Sequence, residues 1–365
     1  MAVFTEVGPE EAGALLRRLG LGELHSLRGI EGGIENTNYF ASTDQGEYVL
    51  TLFERLSFAQ LPYYLCLMKH LADAGLPVPA PAADPAQAPI VADGTHPLEV
   101  PADAPCALLH TVAGKPAAVV QRLSGRSELA PGAAHCRELG ALLARMHLAA
   151  RDFPRTQPNL RGLPWWNETA PVVMPYLDAA QAALLAGELA YQNHVAASAA
   201  YAALPRGPVH ADLFRDNAMF STEGDGDDRD ADAPPRLTGV FDFYFAGTDT
   251  WLFDLAVCLN DWAIDLPTGA PDAERSTALL AAYETVRPLT RAERELLPGM
   301  LRAAALRFWI SRLWDFHLPR EASMLKPHDP AHFERVLRQR AHAPVRVASA
   351  EGIEGAEPAE EAVPA

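Results

Sequence analysis

"PVHADLFRDNAMF", residues 208–220, sets a histidine, two aspartates, an arginine and an asparagine inside an otherwise apolar run. Val209, Leu213, Phe214, Met219 and Phe220 suit a buried strand and its adjoining turn. Charged groups enter such places only with partners or a purpose. His210, Asp212 and, five residues on, Asn217 are spaced for one kind of chemistry. An aspartate there accepts or orients a hydroxyl proton, and an amide oxygen one turn later reaches a metal on nucleotide phosphates. The same letters also serve a capped loop, with Asp212 and Asp216 holding turn amides and His210 a carbonyl.

A second stretch separates these readings. Twenty-five residues beyond Asn217, "GVFDFYFAG" (239–247) places Asp242 in the middle of what reads as an aromatic strand. A carboxylate buried there is costly unless it meets a cation, either an arginine or a metal ion. With both stretches in order, the metal reading is preferred. Asn217 and Asp242 are expected as paired magnesium ligands across a short hairpin, with the acidic residues 221–236 inserted at its tip.

The composition bounds the rest. The chain has 365 residues, 49% of them hydrophobic, enough for a large core in two lobes. A formal charge of −17 argues against nucleic acid as partner. Much of that charge is local: residues 221–236 hold six acids against two arginines, and 346–365 hold five acids. Four scattered cysteines without a CxxC pair argue against a disulfide framework or zinc site. The first residues lack a basic segment followed by an apolar run, and the alanine-rich stretch 179–204 is interrupted by Glu188, Gln192, Asn193 and His194. A cytoplasmic protein without signal peptide or membrane span is expected.

Along the chain, 9–20 and 59–74 have helical spacing, the second stopping at Gly75. "LHSLRGI", "NTNYFAST" and "GEYVLTLFE" read as strands, and "CALLHTV" and "AAVVQRL" as a hairpin about "AGKP". Residues 76–105, rich in proline and alanine, read as an irregular connection. After a hinge near 121–126, helices dominate: 134–150, 176–204 and much of 253–340. The fold class is α+β, with a small antiparallel sheet as amino-terminal lobe (1–122), a mainly helical carboxy-terminal lobe (123–345) and a disordered acidic tail (346–365).

Between the first strands lies "GIEGGIENTNYF" (29–40). The backbone at Gly32 and Gly33, with Asn36, Thr37 and Asn38 as short donors, could cover phosphates, although a glycine pair between strands is usually only a turn. One part is missing. Thr51 stands where a kinase strand carries its phosphate-pairing lysine, and the chain's only lysines are Lys69, Lys115 and Lys326. Further on, "LRAAALRFWISRLWDF" (301–316) sets arginines among tryptophans on a helix. Such arginines usually bridge helices, but one beside the pocket could clamp a carboxylate, and Arg307 and Arg312 are the candidates. Trp165 and Trp166 read as core or lobe-interface residues.

The order of these pieces resembles the protein-kinase-like phosphotransferases of the aminoglycoside phosphotransferase and choline kinase superfamily. Within it the chain resembles the bacterial homoserine kinases of that fold. The resemblance spans roughly residues 1–341 and is carried by "GIENTNYF", "YVLTLFERL", "LPYYLCLMKHL", "HADLFRDN", "FDFYFAGTDTWLFDLAVCLNDW", "LRFWISRLWDF" and "DPAHFERVLRQR". It implies a bilobal kinase-like fold and ATP-dependent phosphorylation of the L-homoserine hydroxyl, for threonine synthesis, with ATP and Mg2+ as cofactors. It also implies Asp212 as base, Asn217 and Asp242 as magnesium ligands, and residues 32–38 as phosphate loop, while His210 joins Asp212 as a catalytic candidate. Tyr244 stands in place of the glycine of a DFG sequence, which speaks against an activation-loop switch. Two other readings stay open: a kinase for choline, ethanolamine or an aminoglycoside, and a nucleotide-binding pseudokinase suggested by the missing lysine.

Overall fold

Nine strands and ten helices carry the described part of the chain, which in this computed structural model comprises residues 5–30, 36–87, 106–221, 234–318 and 328–342. The amino-terminal part holds α1 (Pro9–Arg18), β1 (Leu24–Gly29), β2 (Asn36–Thr43), β3 (Glu47–Phe53), α2 (Leu61–Asp73), β4 (His110–Val112) and β5 (Lys115–Gln121). Its five strands form one antiparallel sheet in the order β1-β2-β3-β5-β4. The "AGKP" hairpin closes through Ala113 and Gly114, both at positive φ (50° and 72°), as a type I′ turn requires.

Strand alternation gives the sheet two unlike faces. Tyr39, Ala41, Leu50, Leu52, Ala117 and Val119 pack under α1 through Ala12, Leu15 and Leu16. That helix starts with a proline and two glutamates and ends on Arg17 and Arg18, which suits its dipole. The opposite face, with Phe53, Ala118 and Val120, joins the main core of the molecule. Asn38 and Thr51, paired in register, share this second face.

The rest comprises α3 (Ala133–Ala149), α4 (Leu163–Val173), α5 (Ala179–Ala196), α6 (Ala199–Ala202), β6 (Arg206–Val209), β7 (Ala218–Phe220), β8 (Leu237–Val240), β9 (Gly247–Thr250), α7 (Trp251–Trp262), α8 (Ala273–Val286), α9 (Arg291–His317) and α10 (Ala331–His342). The helix expected over 176–204 is two helices, because the Ser198 hydroxyl accepts the Tyr201 amide and starts α6 instead of continuing α5. Every residue of α7 is buried, so it is the central post of this part. Where α3 crosses α8, Gly140 lets the backbones meet; a Cβ there would lie 2.2 Å from the Leu279 carbonyl oxygen.

The chain crosses from sheet to helices at residues 122–126. Arg126 pairs with Phe220, and Gly125 (φ +102°) leaves no room for a Cβ, which would meet the Phe220 carbonyl at 2.4 Å. Trp166 is buried and Trp165 half-buried against the main core. All four cysteines are free thiols. No helix among the described residues is long and apolar enough to cross a membrane. The glycine pair, most of the acidic insertion and the tail 346–365 lie outside the described residues.

Candidate active site

Strand β6 delivers the chain to His210, and α7 fixes the loop beyond it. Asp254 accepts the amide of His210 at 2.9 Å with one oxygen and that of Ala211 at 2.8 Å with the other. Ala211 is thereby held at φ +63°, a conformation that alanine rarely takes unaided. Seven residues later, and so on the same face of α7, Asp261 accepts the Arg215 amide at 2.8 Å and its Nε at 3.1 Å. Trp262 Nε1 donates to the Leu213 carbonyl at 3.0 Å. The loop carrying Asp212 is therefore tied to one helix at both ends.

Asp254 is itself held from behind. His147 Nε2 donates to it at 3.1 Å, while His147 Nδ1 accepts the Tyr283 hydroxyl at 2.8 Å. Arg287 donates to Tyr283 at 3.1 Å and to both oxygens of Glu293 at 2.8 and 2.9 Å. Burial and these donors agree on the charges. Burial keeps His147 neutral, its pKa below the ordinary 6.5. Burial alone would raise Asp254, but the His147 hydrogen bond and the nearby amides outweigh it and hold the carboxyl below 3.8.

Asp212 projects from this loop with 15% of its side chain exposed. Burial pushes its pKa up to about 8; Arg307 opposes the rise, and the carboxylates of Asp242 and Asp216 add to it. The charge of Asp242, thirty residues further along, is thus felt at Asp212. Asn217 donates its amide N–H to the Asp212 carbonyl at 2.9 Å, which leaves its Oδ1 as a lone acceptor. Its own carbonyl accepts the Phe241 amide at 3.1 Å, joining β7 to β8 and setting Asp242 beside it.

Asp242 departs from the expectation of a mid-strand residue. β8 ends at Val240, and Asp242 sits in the left-handed region (φ 65°, ψ 56°) before the 3-10 turn Phe243–Phe245. A continuing strand would alternate Asp242 into or out of the sheet; the turn aims it sideways instead. Next to it, Tyr244 packs edge-on against Phe53 at 5.0 Å and Tyr64 at 6.1 Å, coupling the turn to β3 and α2.

Two expected site residues point elsewhere. His210 is buried, donating Nε2–H to the Phe241 carbonyl at 3.0 Å, so it braces the Asp242 turn and does not reach into the cleft. Thr37 turns to the α1 side of the sheet, its hydroxyl bound to Glu54 at 2.6 Å, because it alternates with Asn38. Asn38 keeps the opposite face and accepts the Thr51 hydroxyl at 2.7 Å. Asn36 opens β2 opposite Phe53, on the same face as Asn38. Gly32 and Gly33 are outside the described residues. No described lysine replaces the absent one: Lys69 pairs with Asp73 on α2, and Lys115 pairs with Glu54 on the α1 side.

Arg307 and Arg312 separate clearly. Arg307, on α9, is 3% exposed, with its Nη1 3.8 Å from Asp212 and its guanidinium against the rings of Phe308 and Phe245. Arg312, one turn further on, is only half-buried and lies over Phe333.

The donor set suits a magnesium ion. Mg2+ takes one or two protein oxygens and completes its shell with water and phosphate oxygens. Asp242 and the Oδ1 of Asn217 would offer such oxygens, and no cluster of three histidine, cysteine or acidic ligands occurs among the described residues. Sequence reasoning missed Asp254, Asp261 and His147. The available signal was the pair of acids seven residues apart in an otherwise apolar helix.

Residues 26–289 match the phosphotransferase enzyme family. A homoserine kinase of Polaromonas naphthalenivorans (strain CJ2) is 60% identical over 340 residues, 93% of this chain and 98% of that one. One of Burkholderia mallei (strain SAVP1) is 56% identical over 344 residues, 94% and 97% of the two. Among solved structures, an amicoumacin kinase in complex with AMP-PNP and Ca2+ has a TM-score of 0.58 at 16% identity, over 90% of this chain and 92% of that one. A spectinomycin phosphotransferase in complex with ADP has 0.57 at 11% identity, over 92% and 94%. The fold is therefore kinase-like, with a small antiparallel sheet followed by a helical part. By its sequence the chain belongs to the phosphotransferase enzyme family, and within it to the homoserine kinases.

Proposed function

We propose that this chain transfers the γ-phosphoryl group of ATP to the side-chain hydroxyl of L-homoserine. The product is O-phospho-L-homoserine, made in the cytoplasm for threonine synthesis. The observation that supports the residue roles is the charge of Asp242 acting on Asp212, together with the Asn217 amide bound to the Asp212 carbonyl. ATP lies between the sheet and the helical part, the division falling at residues 122/123. The homoserine oxygen attacks in line, a new O–P bond forms, the bond to the β-phosphate oxygen breaks, and the hydroxyl proton passes to Asp212.

Phosphoryl transfer asks a protein for position and charge more than for covalent chemistry. Asp212 supplies both. Its fixed loop sets the direction of the hydroxyl, and its carboxylate takes the proton as the alcohol loses it. Asn217 and Asp242 would hold Mg2+, which when bound neutralises the phosphate oxygens. Asn36 and Asn38 line the phosphate side, with Thr51 in the lysine's place; Gly32 and Gly33 join them on the sequence alone, since they lie outside the described residues. His210 holds the Phe241 carbonyl and so the Asp242 turn.

The test is ADP release in the presence of L-homoserine and Mg2+, with the product analysed for its phosphate ester. Homoserine-dependent ADP release with the phosphate on the side-chain oxygen is expected. Turnover of choline, ethanolamine or an aminoglycoside in place of homoserine would overturn the substrate assignment, and no turnover at all would leave a pseudokinase.

A further inference from the structure

Arg307 is a buried cation with donors to spare. Its Nε and Nη2 are shut off from solvent and have no hydrogen-bond partner, and its Nη1 stands 3.8 Å from Asp212, beyond hydrogen-bond range. Phe308 and Phe245 cover it at 3.7 and 5.2 Å. A buried guanidinium is normally satisfied by the protein, as the other three buried arginines among the described residues show. Arg215 has Asp261, Arg287 has Glu293, and Arg340 has Asn260 and the Leu259 carbonyl. Leaving a charged donor unmade is costly, so an unfilled fork beside the reacting centre calls for a ligand.

We infer that Arg307 is the specificity-determining cation of this site and takes the α-carboxylate of the amino-alcohol substrate. The inference rests on the proposed function and adds to it a requirement for the carboxylate. An anion with two coplanar oxygens matches a guanidinium edge, and one carried on the same small molecule as the hydroxyl arrives within reach of Asp212. The apolar rings exclude water from the contact, which strengthens it and penalises any alcohol that leaves the fork unfilled. Arg312, half-buried and further along the helix, is not assigned to this contact. A purely electrostatic partner of Asp212 would not need free donors on Nε and Nη2.

The experiment compares kcat/KM for L-homoserine, L-homoserinamide and 3-aminopropan-1-ol in the wild type, Arg307→Lys and Arg307→Met. The wild type should prefer homoserine over both carboxylate-free alcohols by about 10^3–10^5-fold. Arg307→Met should bring that ratio to within about tenfold, because homoserine loses far more than the other two, which share only the change at Asp212, and Arg307→Lys should fall between, since it keeps charge without the fork. Equal losses for all three substrates would mean that Arg307 serves Asp212 or the transferred phosphoryl group, and would overturn the inference. So would a wild type that turns over 3-aminopropan-1-ol as well as homoserine, a result that needs no variant to fold. Failure of homoserine phosphorylation itself sinks the proposed function and this inference with it, and reads differently from lost discrimination.

Discussion

The two sides of the cleft are built on opposite plans. On the helical side, the loop from His210 to Asn217 is held by two buried carboxylates of α7, a tryptophan N–H and a chain of polar groups reaching Glu293. On the sheet side, the strand that faces it offers a neutral Thr51–Asn38 pair and no described lysine. Position is over-determined on the loop that carries Asp212. Preorganised geometry is worth most at the reacting atoms, where an error of about 1 Å costs about 100-fold.

Substitutions should reproduce that asymmetry, and the largest effect belongs to the loop. Asp212→Asn removes the proton acceptor while keeping shape, so kcat should fall by about 10^2–10^4-fold with nucleotide affinity nearly unchanged. Near-normal turnover with homoserine would take the base assignment away.

Behind it comes the support. Asp254→Ala leaves two amides and His147 without their acceptor in a fully buried place. Breaking such a cluster by removing one partner costs about 3–5 kcal/mol. Urea denaturation should read that loss, and kcat should fall along with it as Ala211 is released. A variant with intact stability would show that β6 and the tryptophan suffice to hold the loop.

The pH response is a smaller effect with a definite sign. Burial holds His147 and His210 below the ordinary imidazole value, so both are neutral when folded and protonate more readily when unfolded. Their stabilisation is present above about pH 6.5 and is lost as the pH falls through that value, by up to about 1.4 kcal/mol per pH unit for each. Asp254, held below 3.8, has the same sign at lower pH. Asp212, raised to about 8, has the opposite sign in this window, so thermal melts of Asp212→Asn should show Tm falling more steeply from pH 7 to pH 5 than those of the wild type. A flat profile in that variant would mean that neither imidazole is held neutral by the fold.

The smallest change is expected on the sheet. Thr51→Val removes one hydrogen bond to Asn38, worth about 1 kcal/mol, and should shift the KM for ATP by less than about tenfold. A collapse of ATP binding would show that this neutral pair has taken over the work of the missing lysine, and the contrast between the two sides would disappear.

Much of the molecule was legible in its residue order. The spacing of His210, Asp212 and Asn217 and the later Asp242 pointed to one site, and alternation along β2 and β3 gave the sheet. What misled was orientation. Asp242 looked like a strand residue because its neighbours are aromatic, yet those rings fill the space between the sheet, α2 and the loop around a left-handed turn. Thr37 was grouped with Asn38 by adjacency, and period-two alternation put them on opposite faces. His210 stood beside Asp212 in the sequence, and the backbone reversal at Ala211 sent the two side chains apart.

By itself the sequence determined which residue types were present and at what intervals, and that sufficed for the fold class and for naming Asp212, Asn217 and Asp242 as candidates. Only the tertiary structure decided that α7 carries the loop, that His147 backs Asp254 across 107 residues, and that Arg307 rather than Arg312 is buried with its fork unfilled. The reason is physical. Local spacing fixes the direction of a side chain relative to its own helix or strand, but burial and hydrogen-bond satisfaction depend on what the rest of the chain packs against it.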